Sequence, residues 1–253
     1  MTASLMLLYA LAVYASFLLT FLYAVGFVAN WDALPTTIDA VPSVPSIQAV
    51  AIDLLLLGLF AFQHSVMARP AFKRWWTRWV PAPVERSTYV LFATAALALL
   101  LWHWQPVDGP MLWQLTSSPG RMAAWTVFGV GWAILLASTF LLDHFELFGL
   151  RQVATHWRDG QLPAPTFRTP GLYRVVRHPI YLGFLLGFWA TPHMSASHGL
   201  FALGFTAYIL VGVWFEERDL VAQFGDRYRG YRQQVGMLLP RPARSPRRDP
   251  IDR

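Results

Sequence analysis

The sequence predicts an all-α fold, a polytopic membrane helix bundle of about six apolar helices followed by a cytoplasmic C-terminal segment. Of its 253 residues, 55% are hydrophobic and only 13% are charged, whereas about 25% of an average soluble domain is charged. The hydrophobic residues form long runs, and about 20 apolar residues in a helix are needed to cross a bilayer. Cysteine is absent, which excludes disulfides, thiol nucleophiles and Cys-ligated metals.

Six apolar runs give the expected helices, at residues 5–29, 47–67, 88–104, 122–142, 179–190 and 199–215. We interpret the first as a retained helix, because it is too long for a removed signal. The fifth run is short, and it suits a membrane only if the preceding Arg-His turn is helical or the helix lies within the bundle. A short break joins the last two runs, which predicts an antiparallel helical hairpin.

The basic residues predict the orientation in the membrane. All but one of the 20 Lys and Arg residues lie between runs two and three, between runs four and five, or after run six, and Arg121 is the exception. The positive-inside rule then predicts six crossings of a bacterial-type inner membrane, with both termini and the active site facing the cytoplasm. The net charge of +6 is explained by topology and affinity for anionic lipid, and no nucleic acid is expected.

Residues 171–240 contain the motif to which we assign the chemistry. Pro179 is suited to begin a helix, whose free amides and positive dipole end attract an anion. Arg177 and His178 precede it and add donors. At the far end of the hairpin, Glu216 and Glu217 can accept hydrogen bonds from an amine or from ribose hydroxyls.

Further residues of this motif predict walls for a ligand. Tyr181 lies on the first helical turn, and Gly183 with Gly187 forms a G-x-x-x-G pair, which lets another helix or a flat ligand approach the backbone. Donors for a carboxylate, acceptors for an ammonium group and aromatic walls for a sulfonium together predict an S-adenosylmethionine site. The simpler alternative is interfacial anchoring by arginines and tyrosines plus a structural salt bridge.

The pattern R-H-P-x-Y-x-G, an apolar helix, and E-E-x-x-L-x-x-x-F-G-x-x-Y-x-x-Y resembles the membrane methyltransferases typified by isoprenylcysteine carboxyl methyltransferase and phospholipid N-methyltransferase. The resemblance covers about the last third of the chain and implies a cofactor role for the matching residues. The predicted cofactor-binding residues are Tyr173, Arg177, His178, Tyr181, Gly183, Glu216 and Glu217. S-adenosylhomocysteine would be the product form.

Three segments of the front part, FQHSVMARPAFKRWW, VERSTYVLF and DHFELFGLRQ, resemble the methanethiol S-methyltransferases, which convert methanethiol to dimethyl sulfide. Denitrification-associated membrane proteins share parts of this region. The resemblance implies a single membrane methyltransferase domain over residues 1–240. In it, residues 1–142 are the substrate side and residues 170–240 the cofactor-binding side, and residues 241–253 form a basic disordered tail.

The expected reaction is methyl transfer to a small thiol by direct displacement in a membrane cavity. A thiol is largely protonated at neutral pH, so a base and a nearby cation are needed. We predict His64 and Arg86 as the catalytic residues, because they are polar groups at two facing helix ends. Ser65, Arg69, Glu85 and His144 are predicted substrate-binding residues, although a salt-bridged helix end also explains His144.

Three other functions remain open at this stage. They are methyl transfer to a prenyl or lipid substrate, an NADPH-dependent membrane reductase, and a non-catalytic carrier. No metal site is predicted, because no ligand spacing such as H-E-x-x-H is present. Asp53 lies within the second run, where we favour a position near the outer interface over a functional role.

Overall fold

The structure is a computed structural model that describes residues 2–158, 160–164 and 166–241. It confirms the all-α bundle, with five helices long and apolar enough to cross a membrane and a shorter apolar sixth. Large apolar side chains such as Leu19 and Leu55 face outward, at 70% and 74% exposure, as expected for a lipid-facing surface. Apart from Arg241, the predicted basic tail lies outside the described residues.

The five long helices are α1 (Ala3–Val28), α2 (Ser46–Ala68), α4 (Ala82–His103), α5 (Ser118–Leu142) and α9 (Ala196–Phe224). The shorter helices are α3 (Pro70–Trp76), α6 (His144–Leu147), α7 (Leu150–Trp157), α8 (Pro179–Trp189) and α10 (Asp226–Gln234), and a 3-10 turn covers Gly171–Arg174. Strands β1 (Trp113–Gln114) and β2 (His193–Met194) pair antiparallel, with Trp113 opposite Met194.

Two helices extend well beyond the apolar runs that predicted them. Helix α4 begins at Ala82, directly after Pro81, and its polar residues 85–87 continue the helix without adding to the apolar signal. Helix α9 continues to Phe224, since Glu is a good helix former. Gly225, whose φ is 56°, ends α9 as its C-cap. The acidic pair therefore lies inside the helix.

Helix α8 has 11 residues and is not preceded by a helical turn at Arg177. Of the two expectations for this short helix, the one that applies is that it lies within the bundle. It packs most extensively against α5. A Cβ added at Gly183 would lie 2.6 Å from the Gly131 oxygen, and one at Gly187 would lie 2.8 Å from the Trp132 ring. The glycine pair thus allows close helix packing, and α8 lies within the bundle.

Different hydrogen bonds connect the elements at the two ends of the bundle. At the end where α9 begins, the Trp104 indole donates to Ser197 Oγ at 3.0 Å, and Ser197 Oγ donates to the Ile38 carbonyl at 2.8 Å. At the other end the chain returns after α10. There the Arg177 amide donates to the Gly236 carbonyl at 2.8 Å, and the His178 amide donates to the Met237 carbonyl at 3.1 Å. The predicted chemistry lies at this second end.

Candidate active site

The predicted meeting of the two hairpin ends is present as a buried ion cluster centred on Glu217. Its Oε1 accepts from Arg177 Nε at 2.7 Å and Nη2 at 2.6 Å, and it lies 3.1 Å from His178 Nε2. Its Oε2 is 3.2 Å from Arg232 Nε. Because Glu217 is only 8% exposed, these contacts compensate the cost of burying its charge.

Arg177 is held entirely by groups of the chain itself. Besides its contacts with Glu217, Nη1 donates to the carbonyls of Val235 at 2.5 Å and Arg232 at 3.3 Å. Each guanidinium nitrogen therefore has a partner, whereas the sequence led us to expect donors pointing at a ligand. The difference arises because the segment after α10 returns under the hairpin and presents its carbonyls, which no motif indicated. Arg177 therefore binds Glu217 and the returning segment of the chain.

Glu216 differs from its neighbour, because its Oε2 is buried and has no hydrogen-bond partner among the described residues. That oxygen lies 3.7 Å from His178 Nδ1, beyond hydrogen-bond reach. The Tyr181 hydroxyl lies close to the same carboxylate, and the rings of His178 and Tyr181 have centroids 5.6 Å apart. An acceptor of this kind fits an ammonium group or ribose hydroxyls, which is the chemistry expected of the cofactor.

Tyr173 links neighbouring elements beneath this surface. Its hydroxyl donates to the Ser138 carbonyl at 3.4 Å, and its own carbonyl accepts from the Tyr231 hydroxyl at 2.5 Å. Burial raises the pKa of Tyr231 to about 12, so this phenol stays a donor at neutral pH. The predicted cofactor residue Gly183 has its open side turned to α5, so the structure uses it for a helix, the first of its two expected roles.

The predicted catalytic histidine lies in a second cluster, between α2, α4 and α9. His64 Nε2 and the Tyr89 hydroxyl form a hydrogen bond of 2.8 Å. The imidazole is surrounded by the rings of Phe60, Tyr89 and Tyr208, with centroids 5.4, 5.2 and 6.2 Å away. His64 Nδ1 is buried without a hydrogen-bond partner among the described residues. It is therefore available to a ligand.

Two predicted cations border this cluster. The Arg86 guanidinium lies 4.9 Å from the Tyr89 ring centroid and its Nε donates to the Leu147 carbonyl at 2.7 Å. It is also within electrostatic range of His64. Arg69 Nη1 lies 3.0 Å from Asp219 Oδ2, and its Nε donates to the Ser65 carbonyl at 3.3 Å.

His144 is placed elsewhere. Its ring lies between the Tyr14 hydroxyl, 2.7 Å from Nε2, and Thr139 Oγ1, 2.8 Å from Nδ1, and it stacks on Phe140 with centroids 4.2 Å apart. Burial lowers the pKa of this imidazole. These partners belong to α1 and α5, so the structure does not bring His144 to the His64 cluster. Arg151 and Glu146, next to His144, form a salt bridge of 3.0 Å. The surroundings of His144 therefore match the alternative interpretation, a salt-bridged helix end.

Two tyrosines that the sequence analysis did not single out complete the arrangement. Tyr89 follows Arg86 by one helical turn and contacts His64. Tyr208 lies two turns before Glu216, and its hydroxyl is near Ser65. Tyr208 and Tyr181 pack against the same hydrophobic core cluster. The His64 and Glu216 clusters are therefore neighbours. The sequence signal that could have identified them is their helical spacing from Arg86 and Glu216. Without that spacing, a tyrosine in an apolar run indicates only packing.

A cavity of about 350 Å³ lies at the opposite end of the bundle, bordered among others by Asn30, Asp39 and His198. Of the described residues that line it, none is a predicted site residue. Its polar groups are largely engaged in local contacts, since the Ser195 hydroxyl donates to Asp39 Oδ1 and His198 Nε2 lies 2.8 Å from the Phe188 carbonyl. The chemistry of the two clusters described above is not reproduced there.

Comparison with known proteins places this arrangement in a family. The family described as NnrU protein matches residues 53–239, a range that includes both clusters. This chain belongs to the NnrU family. Among relatives of this NnrU-family chain, methanethiol S-methyltransferase of Mycobacterium tuberculosis is 54% identical over 94% of this chain and 97% of its own length. The sequence-based resemblance to these enzymes is confirmed.

Other relatives show the breadth of the similarity. Methanethiol S-methyltransferase of Crocosphaera subtropica is 49% identical over 92% of this chain and 91% of its own length. The protein named Nurim of Mus musculus is 32% identical over 77% of this chain and 74% of its own length. No solved structure matches the chain.

Proposed function

We propose that this protein is an S-adenosylmethionine-dependent methyltransferase that converts a small thiol, methanethiol, to its methyl thioether, dimethyl sulfide. The observation that carries the proposal is the near full-length identity of 54% to a methanethiol S-methyltransferase. The structure supports it with a Glu216 oxygen and a His64 nitrogen that are buried without a hydrogen-bond partner among the described residues. Relatives of this kind do not favour lipid methylation or NADPH-dependent reduction.

The cofactor fits the residues around Glu216. Its buried, unpartnered oxygen would accept a hydrogen bond from the ammonium group or the ribose, and the rings of His178 and Tyr181 would flank the adenosyl or sulfonium part. When bound, S-adenosylmethionine supplies an electrophilic methyl group. Arg177 and Glu217 hold this surface in place from behind, with Tyr173 bracing it against α5.

The acceptor side must remove a proton from the thiol. We assign proton acceptance to His64 Nδ1, which requires that Nε2 carry the hydrogen and donate it to the Tyr89 oxygen. The positive charge of Arg86 favours the developing thiolate. Ser65 and Arg69 border this cluster, Glu85 lies within electrostatic range of Tyr89, and we keep all three as substrate-side candidates. The thiolate and the sulfonium lose their opposite charges as the methyl group is transferred. In an aromatic cavity without water, this transition state is stabilised relative to the separated ions.

The direct test is product detection. Purified protein in detergent or vesicles, given methanethiol and methyl-labelled S-adenosylmethionine, should release labelled dimethyl sulfide into the headspace. Thermal shift should show stabilisation by S-adenosylhomocysteine and none by NADPH. Labelling of added lipid instead of the thiol, or stabilisation by NADPH alone, would contradict the proposal.

The assignment of the two acids has a matched test. Glu216→Gln should weaken S-adenosylhomocysteine binding by about tenfold or more, as expected for loss of a hydrogen bond to a charged group, with little change in unfolding temperature. Glu217→Gln should mainly lower the unfolding temperature, because Arg177 loses its buried counter-charge. Asp219→Asn, at the half-exposed Arg69 contact, serves as control. Equal effects of both Gln variants on binding would contradict the division of roles.

We also propose that the site faces the cytoplasm. The charge distribution supports this orientation, and the absence of cysteine provides a clean background for labelling. In intact cells, a membrane-impermeant maleimide should not reach a single cysteine introduced at Thr77, whereas it should react with one introduced at Ser43. The opposite pattern would reverse the orientation.

A further inference from the structure

Tyr208 occupies the boundary between the two clusters. Its ring lies 5.8 Å from Phe60 and 6.2 Å from His64 between centroids. Its hydroxyl is near Ser65 on the acceptor side, and Tyr208 packs against the same hydrophobic core as Tyr181 on the cofactor side. A methyl group transferred from the cofactor surface to a sulfur at His64 must therefore pass beside this ring.

The surroundings of His64 leave little room for the acceptor. Phe60 and Tyr89, at 9% and 6% exposure, come from α2 and α4, and Tyr208 comes from α9. Ring centroids 5.2 to 6.2 Å from the imidazole correspond to direct contact between rings. Since packed interiors resist added methylenes, a long substituent on the sulfur would have to displace one of these rings.

Tyr89 and Tyr208 differ in which side of the imidazole they cover. The Tyr89 hydroxyl binds His64 Nε2, the nitrogen away from the acceptor. Tyr208 instead covers another side of the ring, with centroids 6.2 Å apart, beside the expected path of the methyl group. In an in-line displacement the carbon substituent of the thiol projects sideways from that path, so the ring of Tyr208 borders the space for this substituent.

We propose that Tyr208, supported by Phe60, determines the size of the acceptor and restricts it to thiols with a one-carbon substituent. The inference rests on the proposed function, and it identifies the residue that selects the acceptor thiol at that site. In the step it restricts, the thiol proton moves to His64 Nδ1 and a new bond forms between the thiol sulfur and the methyl carbon. The methyl–sulfonium bond breaks, and its electron pair stays on the departing thioether.

The test measures kcat/KM of the full-length protein for methanethiol, ethanethiol and 1-propanethiol at saturating S-adenosylmethionine. In Tyr208→Ala the ratio of propanethiol to methanethiol should rise by about tenfold or more, the range expected for methylene-sized discrimination in an apolar pocket. Tyr208→Phe, which keeps the ring, should leave the ratio within about threefold. A ratio does not depend on the active fraction, so partial unfolding cannot imitate the result.

Tyr14→Ala is the control, because Tyr14 makes a similar contact to His144 away from this cluster, and its ratio should equal that of the wild type. If Tyr208→Ala cannot be purified, Phe60→Ala and Tyr208→Leu are measured in the same way. An unchanged ratio in these enlarged variants would overturn the inference. Failure of the wild type to methylate any thiol would instead overturn the proposed function.

Discussion

Two histidines in this protein each form a hydrogen bond to a tyrosine through one ring nitrogen. They differ in what the second ring nitrogen contacts. The His64–Tyr89 and His144–Tyr14 contacts are 2.8 and 2.7 Å long. The second nitrogen of His144 is 2.8 Å from Thr139 Oγ1, whereas that of His64 is buried without a hydrogen-bond partner among the described residues. A buried polar atom is normally satisfied, so the unsatisfied nitrogen of His64 is the difference between the two pairs on which its proposed role rests.

The neighbours of the two rings agree with this distinction. His144 stacks almost parallel on Phe140, with an interplanar angle of 4°, at the end of one helix. His64 lies where three helices meet, beside the cation Arg86 and facing the boundary residue Tyr208. Both were predicted site residues on the basis of sequence, and the structure gives the two rings different surroundings.

The largest expected effect concerns the imidazoles themselves. His64→Gln should lower kcat by about 10² to 10⁴-fold, the usual contribution of a positioned acid or base, while S-adenosylhomocysteine binding is retained. His144→Gln should keep kcat per folded protein within about threefold, because its ring touches only structural partners. Methyl transfer and thermal shift measure the two quantities. Similar kcat losses in both variants would remove the distinction between the pairs.

The next effect tests the partner tyrosines. Tyr89→Phe should lower kcat by about fivefold, since one hydrogen bond contributes roughly 1 kcal/mol, and should shift the acidic limb of the pH–rate profile. The KM for S-adenosylmethionine should not change. Tyr14→Phe removes the equivalent bond from His144 and should leave the profile as in the wild type. An unshifted profile in Tyr89→Phe would show that this hydroxyl does not position His64.

The smallest effect concerns stability and pH. Burial lowers the pKa of His144 in the folded state, so the unfolded chain binds its proton more readily. The stabilisation by neutral His144 is complete above the unfolded pKa of about 6.5 and is lost as the pH falls below it. The unfolding temperature should therefore decrease between about pH 7.5 and pH 5, less steeply in His144→Gln. Parallel curves for wild type and variant would contradict this assignment.

Much of the fold and part of the site were predictable from sequence. Apolar runs located the helices, and R-H-P with E-E placed the hairpin ends together, since an antiparallel pair must bring Arg177 near Glu217. Local patterns did not reveal the return of the chain to Gly236, which engages Arg177 from 59 positions away in sequence. They also did not separate Glu216 from Glu217, because that difference depends on which oxygen a distant donor reaches.

The pairing of the Arg177 and His178 amides with Gly236 and Met237 has a consequence for biosynthesis. A ribosome must have released nearly the whole polypeptide before these late carbonyls can reach the start of α8. All the spanning helices precede them, so membrane insertion comes first and activity last. A chain cut short before Gly236 would lack both of these hydrogen bonds at the start of α8, whereas a tag attached beyond Arg241 would leave the residues that form them in place.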